Sequence, residues 1–240
     1  MKIVLIRHGE PSPIDHKLTE KGVLDAKALK EFYKNEHIDK VFSSPLDRAL
    51  DTCKIFLEER DEKYVICPWL EEFVHPVYLK NNEEPVLNWD FLPSFYTKND
   101  DLYDPKTYLE TEVMKSGNIK HYYDYVTSNF DKILEENGYK RSGKYYEVID
   151  SNRDVLVFFC HLGIISVILS HLTGIPYSVL AQGFACPTTG VTTIYSEERE
   201  KGIAQFRCVS YGDISHLKAN NIKPSFHARF CETFDSDERH

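Results

Sequence analysis

Lys2 to Ile6 is a short β-branched apolar run that stops abruptly at the polar Arg7-His8-Gly9-Glu10, as a strand buried on both faces does where it leaves a sheet. From Thr19 the spacing changes to a helical one, with Thr19 as N-cap and Ala26, Leu29 and Tyr33 on one face, running to about Asn35. Val41-Phe42 is a second apolar run. After it Ser44 is placed to cap a helix with Pro45 at its first position, and Leu46, Ala49, Leu50, Cys53 and Phe56 recur at helical intervals. Tyr64 to Cys67 reads as a third strand.

Val155 to Cys160 is continuously apolar and therefore central in a parallel sheet, followed by His161-Leu162-Gly163 and a helix through about Leu172. Val191 to Tyr195 and Ala204 to Val209 flank a turn at Glu200-Lys201-Gly202 and predict an antiparallel edge. Between Phe73 and Asp150 aromatic and acidic residues crowd in, and helical periodicity is clear only around Tyr122 to Glu136. The fold predicted is α/β: a three-layer αβα sandwich with a mostly parallel central sheet and an inserted helical cap. It forms one domain over 1–240, with 73–150 as the cap and 218–240 as a C-terminal extension. Phe226, Phe230 and Phe234 can form one apolar stripe in that extension.

A chain of 240 residues suffices for one sizeable core with an insertion. The net charge of -9 argues against a nucleic-acid binder, which needs a basic stripe to replace counterions. No apolar run approaches the length of a membrane span, and Ile3 to Ile6 is too short for a signal-peptide core, so the expected location is cytoplasmic. The six cysteines form no C-x-x-C pair and read as free thiols, and the histidines lack zinc-site spacing.

Four separated segments place a phosphate-compatible or proton-transferring residue just after a strand: Arg7-His8, Arg48, Glu71-Glu72 and His161. In an open parallel sheet these loops leave at one edge, where ligands bind, so residues far apart in sequence converge there. Taken singly, each has a bland reading: a satisfied core-edge histidine, a helix-surface arginine, a solvated acidic pair. His75 reads as an exposed loop histidine. The Lys140-Arg141-Lys144 cluster can greet an anion, yet such a run is usually a solvated loop and stays outside the site. The aromatics Trp89, Phe91, Phe95, Tyr96, Tyr103 and Tyr108 are expected to pack the cap onto the core.

The ordered set Arg7-His8-Gly9-Glu10, Leu18-Thr19-Glu20-Lys21-Gly22, Ser43-Ser44-Pro45-Leu46-Asp47-Arg48-Ala49 and Cys160-His161-Leu162-Gly163 resembles the motifs of the histidine phosphatase (phosphoglycerate-mutase-like) superfamily. The resemblance implies hydrolysis of a phosphate monoester through a phosphohistidine on His8. Arg7, Arg48 and His161 would hold the phosphate oxygens, and Glu72 would be the general acid, with Glu71 as fallback. No cofactor and no metal is implied, because arginines can supply the charge stabilisation that magnesium supplies elsewhere. The implied partner is a small phosphate monoester, with neither nucleic acid nor membrane, and a homodimer is left open. Beside Arg7 and Arg48 the Glu72 pKa is expected to be depressed in the free protein, a bias that an arriving dianion reverses, so activity should favour mildly acidic pH.

Two departures bear on substrate. Pro11-Ser12-Pro13-Ile14 and Phe73-Val74-His75-Pro76 stand where many members carry Trp-Asn and Gly-Trp-Glu segments. The missing Trp-Asn pair, with the acidic aromatic cap, weighs against a phosphoglycerate mutase. A silent phospho-ligand-binding regulator of the same fold should have lost a reactive group, and none is missing.

Overall fold

The computed structural model describes residues 1–80, 84–225 and 233–235. Its strands are β1 (Lys2–Arg7), β2 (Lys40–Ser43), β3 (Tyr64–Ile66), β4 (Pro76–Val77), β5 (Val86–Leu87), β6 (Tyr139–Ser142), β7 (Tyr145–Val148), β8 (Val155–Cys160), β9 (Val191–Glu200) and β10 (Ile203–Asp213). The helices are α1 (Glu20–Tyr33), α2 (Asp47–Leu57), α3 (Pro93–Tyr96), α4 (Glu112–Ser116), α5 (Ile119–Glu136), α6 (Leu162–Thr173), α7 (Tyr177–Gly183) and α8 (Ser215–Ala219). The main sheet has the order β3-β2-β8-β1-β9-β10-β7-β6. Its first four strands are parallel, and beyond β1 each neighbour is antiparallel, so only β9 and β7 oppose the common direction.

The pleat of β1 divides the interior. Ile3 and Leu5 point into a core shared with Phe130 of α5 and Ile164, Ile165 and Ile168 of α6, whereas Val4 and Ile6 join Leu29 of α1 and Cys53 and Phe56 of α2 on the opposite face. This is the expected three-layer α/β arrangement, with helices on both faces of a large sheet. Among the described residues no helix is long and apolar enough to cross a membrane.

Four details differ from the sequence reading. α2 starts at Asp47, not at Pro45, and Leu46 at its N-cap offers no side-chain bond. Ser44 is drawn away to accept from the Leu46 amide and to meet His161. The end of the expected insert, 139–148, is a hairpin that extends the main sheet beside β10. Its polar Lys140, Arg141 and Glu147 hide an edge strand from a periodicity argument. β9 and β10 are longer than their apolar cores because their outer halves carry charged residues into solvent, with Gly202 at φ 82° in the turn.

In the inserted stretch Phe91, Tyr96 and Tyr108 are buried in the same core as Ile3 and Leu5, Trp89 and Phe95 pack against it, and Tyr103 stays exposed. At the other end of the chain, the Ser225 hydroxyl donates to Glu10 Oε2. Phe226 and Phe230 of the expected stripe lie outside the described residues, and Phe234 is fully exposed.

Candidate active site

The register of the parallel strands aligns their C-terminal ends. Ile6 and Ser43 both lie opposite Phe159, and Arg7 lies opposite Cys160, so His8, Ser44 and His161 emerge side by side from three adjacent strands. β3 follows Ser43 by pairing it with Ile66, and a short 3₁₀ turn at Pro68–Leu70 then carries the chain to Glu72. Convergence thus follows from strand register.

His8 is buried, and its backbone is held from two sides: its amide donates to the Cys160 carbonyl at 3.0 Å and its carbonyl accepts from the Thr189 amide at 3.1 Å. The next amide, Gly9, donates to the Thr52 hydroxyl at 2.9 Å, which itself donates to the Arg48 carbonyl at 2.7 Å. Gly9 and Gly22 permit a tight crossing here, since a Cβ on Gly22 would stand 2.4 Å from the Glu10 carbonyl oxygen. Thr19 closes the crossing by capping α1 through the Gly22 amide and donating to Glu10 Oε1 at 2.9 Å.

In the ring, His8 Nδ1 lies 2.7 Å from the Gly9 carbonyl, which can only accept, so Nδ1 carries the hydrogen. Nε2 is then the lone-pair nitrogen. It receives the Arg48 Nε–H at 3.3 Å, consistent with that tautomer. Arg7 donates through Nη1 to the Cys186 carbonyl at 2.5 Å, which fixes its guanidinium beside the loop that precedes β9.

His161 is fully buried, its ring centroid 5.0 Å from that of His8. The Ser44 hydroxyl already accepts from Leu46, so its hydrogen is available to His161 Nε2 at 2.8 Å, leaving Nδ1 as the N–H. Nδ1 has no protein partner among the described residues. Burial, with His8, Arg48 and Arg7 adding to it, holds the His161 pKa well below the usual histidine range, so the ring is neutral.

Glu72 Oε1 accepts two backbone N–H bonds of 2.9 Å, from Phe73 and from Gly163 in the first turn of α6. Its pKa is raised, contrary to the sequence expectation. Burial outweighs the opposing pull of Arg7, the Phe73 and Gly163 amides, and Arg48. A list of neighbouring charges captures the arginines but not the loss of water. Glu71 is exposed, whereas Glu72 bonds the Gly163 amide and faces Arg7 and Arg48, so Glu72 is the carboxyl of the site. His75 is not a free loop histidine: it stacks on Tyr122 at 3.7 Å, with the Phe73 ring at its edge.

The structure therefore brings together Arg7, His8, Arg48, Glu72 and His161. Sequence reasoning missed Thr52, the Cys186 to Gly190 loop and the need for glycine at 163. Thr52 alone had a signal, lying one helical turn beyond Arg48. The loop acts through backbone groups, and its Thr189 holds the left-handed conformation at φ 57°, unusual for a β-branched residue.

One ring nitrogen from each of His8 and His161 and a Glu72 oxygen lie within 4.8 Å of one another, a set that can ligate a cation. The two arginines beside them make the pocket electropositive and favour an anion instead.

Comparison with known proteins agrees with this chemistry. Residues 3–91 match the histidine phosphatase superfamily (branch 1), a stretch that holds Arg7, His8, Arg48 and Glu72 and ends before His161. An adenosylcobalamin/alpha-ribazole phosphatase of Salmonella typhi is 36% identical over 85 residues, 30% of this chain and 40% of that protein, so the match spans about two fifths of the relative. A probable phosphatase of Schizosaccharomyces pombe is 25% identical over 236 residues, covering 91% of this chain and 96% of that one. Among solved structures, a phosphoserine phosphatase of Entamoeba histolytica superposes with a TM-score of 0.59 at 18% identity, covering 90% of this chain and 98% of that one. The alpha-ribazole phosphatase of Shigella flexneri does so with 0.54 at 17%, covering 89% and 97%. Over residues 3–91 the chain thus matches the histidine phosphatase superfamily (branch 1), and along nearly its whole length it shares the fold of these solved phosphatases.

Proposed function

We propose that the protein hydrolyses a phosphate monoester through a phosphohistidine on His8, without a metal. The observation that carries this reading is the His8 ring: Nδ1–H tied to the Gly9 carbonyl and Nε2 turned toward Arg48 in an electropositive pocket that also holds a protonatable carboxyl. Such an imidazole is neutral and oriented, as a nucleophile must be.

In the first step Nε2 attacks phosphorus, the bond from phosphorus to the leaving oxygen breaks, and Glu72 gives its proton to that oxygen. In the second, Glu72 takes a proton from water as the water oxygen attacks phosphorus; the nitrogen–phosphorus bond breaks, phosphate leaves and His8 is restored. Arg7, Arg48 and the His161 N–H would bear the charge on the equatorial oxygens, the main requirement of a loose phosphoryl-transfer transition state. The raised pKa of Glu72, caused first by burial, favours the protonated form that the first step uses.

Phosphate release from phenyl phosphate is to be measured with wild type and His8→Ala, with a chelator present throughout. Release by wild type alone is expected. Loss of wild-type activity on chelation would overturn metal independence, and equal rates for the two proteins would overturn the nucleophile.

A further inference from the structure

α6 presents His161 and Gly163 at its N-terminal end, and its other end opens onto a cavity of about 480 Å³ lined in part by Lys106, Tyr108, Tyr123, Arg141, Lys144 and His171. α6 has 12 residues, so at about 1.5 Å per residue the two ends are roughly 18 Å apart. The cavity is separate from the catalytic pocket.

Arg141 is held in one orientation. Its Nε donates to the Gly143 carbonyl at 2.7 Å, its Nη1 to the Tyr146 hydroxyl at 2.9 Å and the His171 carbonyl at 3.0 Å, and its plane lies over the Tyr146 ring at 5.0 Å. Tyr146 is fixed in turn by Asp131, which also holds His171 at 2.8 Å. Nη2 alone makes no hydrogen bond among the described residues, which leaves one edge of an immobilised guanidinium uncommitted. An arginine with its rotamer already fixed loses little entropy when an anion arrives.

Lys106 and Lys144 stand beside it, and among the described residues no carboxylate lies within ion-pair distance of either lysine or of Arg141. In a chain of net charge -9, three unneutralised cations around one cavity run against the general balance. The Tyr108 and Tyr123 hydroxyls meet Ser170 Oγ at 3.3 and 3.2 Å and add a hydroxyl cluster.

The C-terminal carbonyls of α6 should oppose an anion. Three are already occupied: Leu169 accepts from Thr173 Oγ1, Ser170 from the Gly174 amide and His171 from Arg141. Asp131, the acid in this network, is spent on His171 and Tyr146.

We propose that this cavity is a second anion site, which takes a small molecule bearing a phosphate or carboxylate group on Arg141, Lys106 and Lys144. It is tested by calorimetric titration with inorganic phosphate and, separately, citrate. Arg7→Ala serves as the background, since it weakens phosphate binding at the catalytic pocket. One equivalent of at least one anion should still bind that background, and adding Lys106→Ala and Lys144→Ala should weaken it tenfold or more. Which of the two is held identifies the anionic group. Both lysines are exposed, so the variant should fold even where Arg141→Met does not. The same lysine changes in the wild-type background should leave hydrolysis without added anion unaltered. Absence of binding to Arg7→Ala, or a loss below tenfold with the lysines removed, would overturn the proposal.

Discussion

Gly163→Ala separates positioning of the acid from integrity of the fold. A Cβ at 163 would stand 2.7 Å from Glu72 Oε1 and 2.9 Å from Phe73 Cβ. Since a comfortable carbon–oxygen contact is about 3.3 Å, the carboxyl must move by roughly 0.6 Å. That movement strains both N–H bonds that aim Oε1. Catalytic geometry tolerates about 0.5 Å, and a misplacement of about 1 Å can cost on the order of 100-fold in rate. We expect kcat on phenyl phosphate to fall about 10- to 100-fold, about 1.4–2.7 kcal/mol of barrier. KM should change little, because Arg7, Arg48 and His161 are untouched. Alanine improves helix propensity by up to about 1 kcal/mol, which offsets part of the crowding against Phe73, so the melting temperature should move only slightly. Nitrophenyl phosphate, whose leaving group needs little protonation, should lose less than phenyl phosphate. A kcat within threefold of wild type, or equal losses on both substrates, would refute Glu72 as an acid aimed by Gly163.

The pH dependence follows from the sign of the Glu72 shift. In the proposed mechanism the reactive form is the protonated acid, so kcat/KM should decline as pH rises through the Glu72 pKa, and the raised value places that limb nearer neutrality than an ordinary carboxyl would. The substrate titrates near pH 6 as well, but its limb should persist in Glu72→Gln, so an unchanged profile in that variant would remove Glu72 from the assignment. Thr52→Val should leave the buried Gly9 amide without its acceptor, destabilising by about 1–3 kcal/mol, with a lower melting temperature and lower activity, both restored by Thr52→Ser. A stable, active valine variant would show that the Gly9 loop needs no tie to α2.

What could be read from the sequence and what could not divides along a physical line. β1 and β8 were legible because strands buried on both faces must be continuously apolar, and each delivers its polar residue one step beyond its end. Arg7-His8 and His161 followed from those ends, and Arg48 from the helix after Val41-Phe42. The β6–β7 hairpin was not legible, because strands that carry Lys140, Arg141 and Glu147 at the end of the sheet have no such run. Ser44 has the chemistry of a helix cap, and only the register of β2 against β8 reveals that it turns to His161 instead. The Cys186 to Gly190 loop binds Arg7 and His8 through carbonyls and an amide, groups every residue possesses. The Glu72 shift went the other way for a related reason: charges are written in a sequence, whereas desolvation is written only in three dimensions.

The two groups that react in the proposed mechanism are held to different degrees, and the difference has a mechanistic reading. The His8 segment is gripped from β8, from the loop before β9 and from α2, with α1 crossing it at Gly22. Its ring is fixed on both nitrogens. Glu72 follows a short turn, and its carboxyl is aimed by two N–H groups at the start of a helix. In-line attack tolerates little error at the nucleophile, whereas the acid must give a proton and then take one back, and a carboxyl held by backbone donors can do both without a change of partner. Changes around Glu72 should therefore alter rate and pH dependence while leaving the fold intact, and changes around His8 should disturb both together. That contrast sets Gly163→Ala against Thr52→Val, and the pair tests it with one substitution on each side of the pocket.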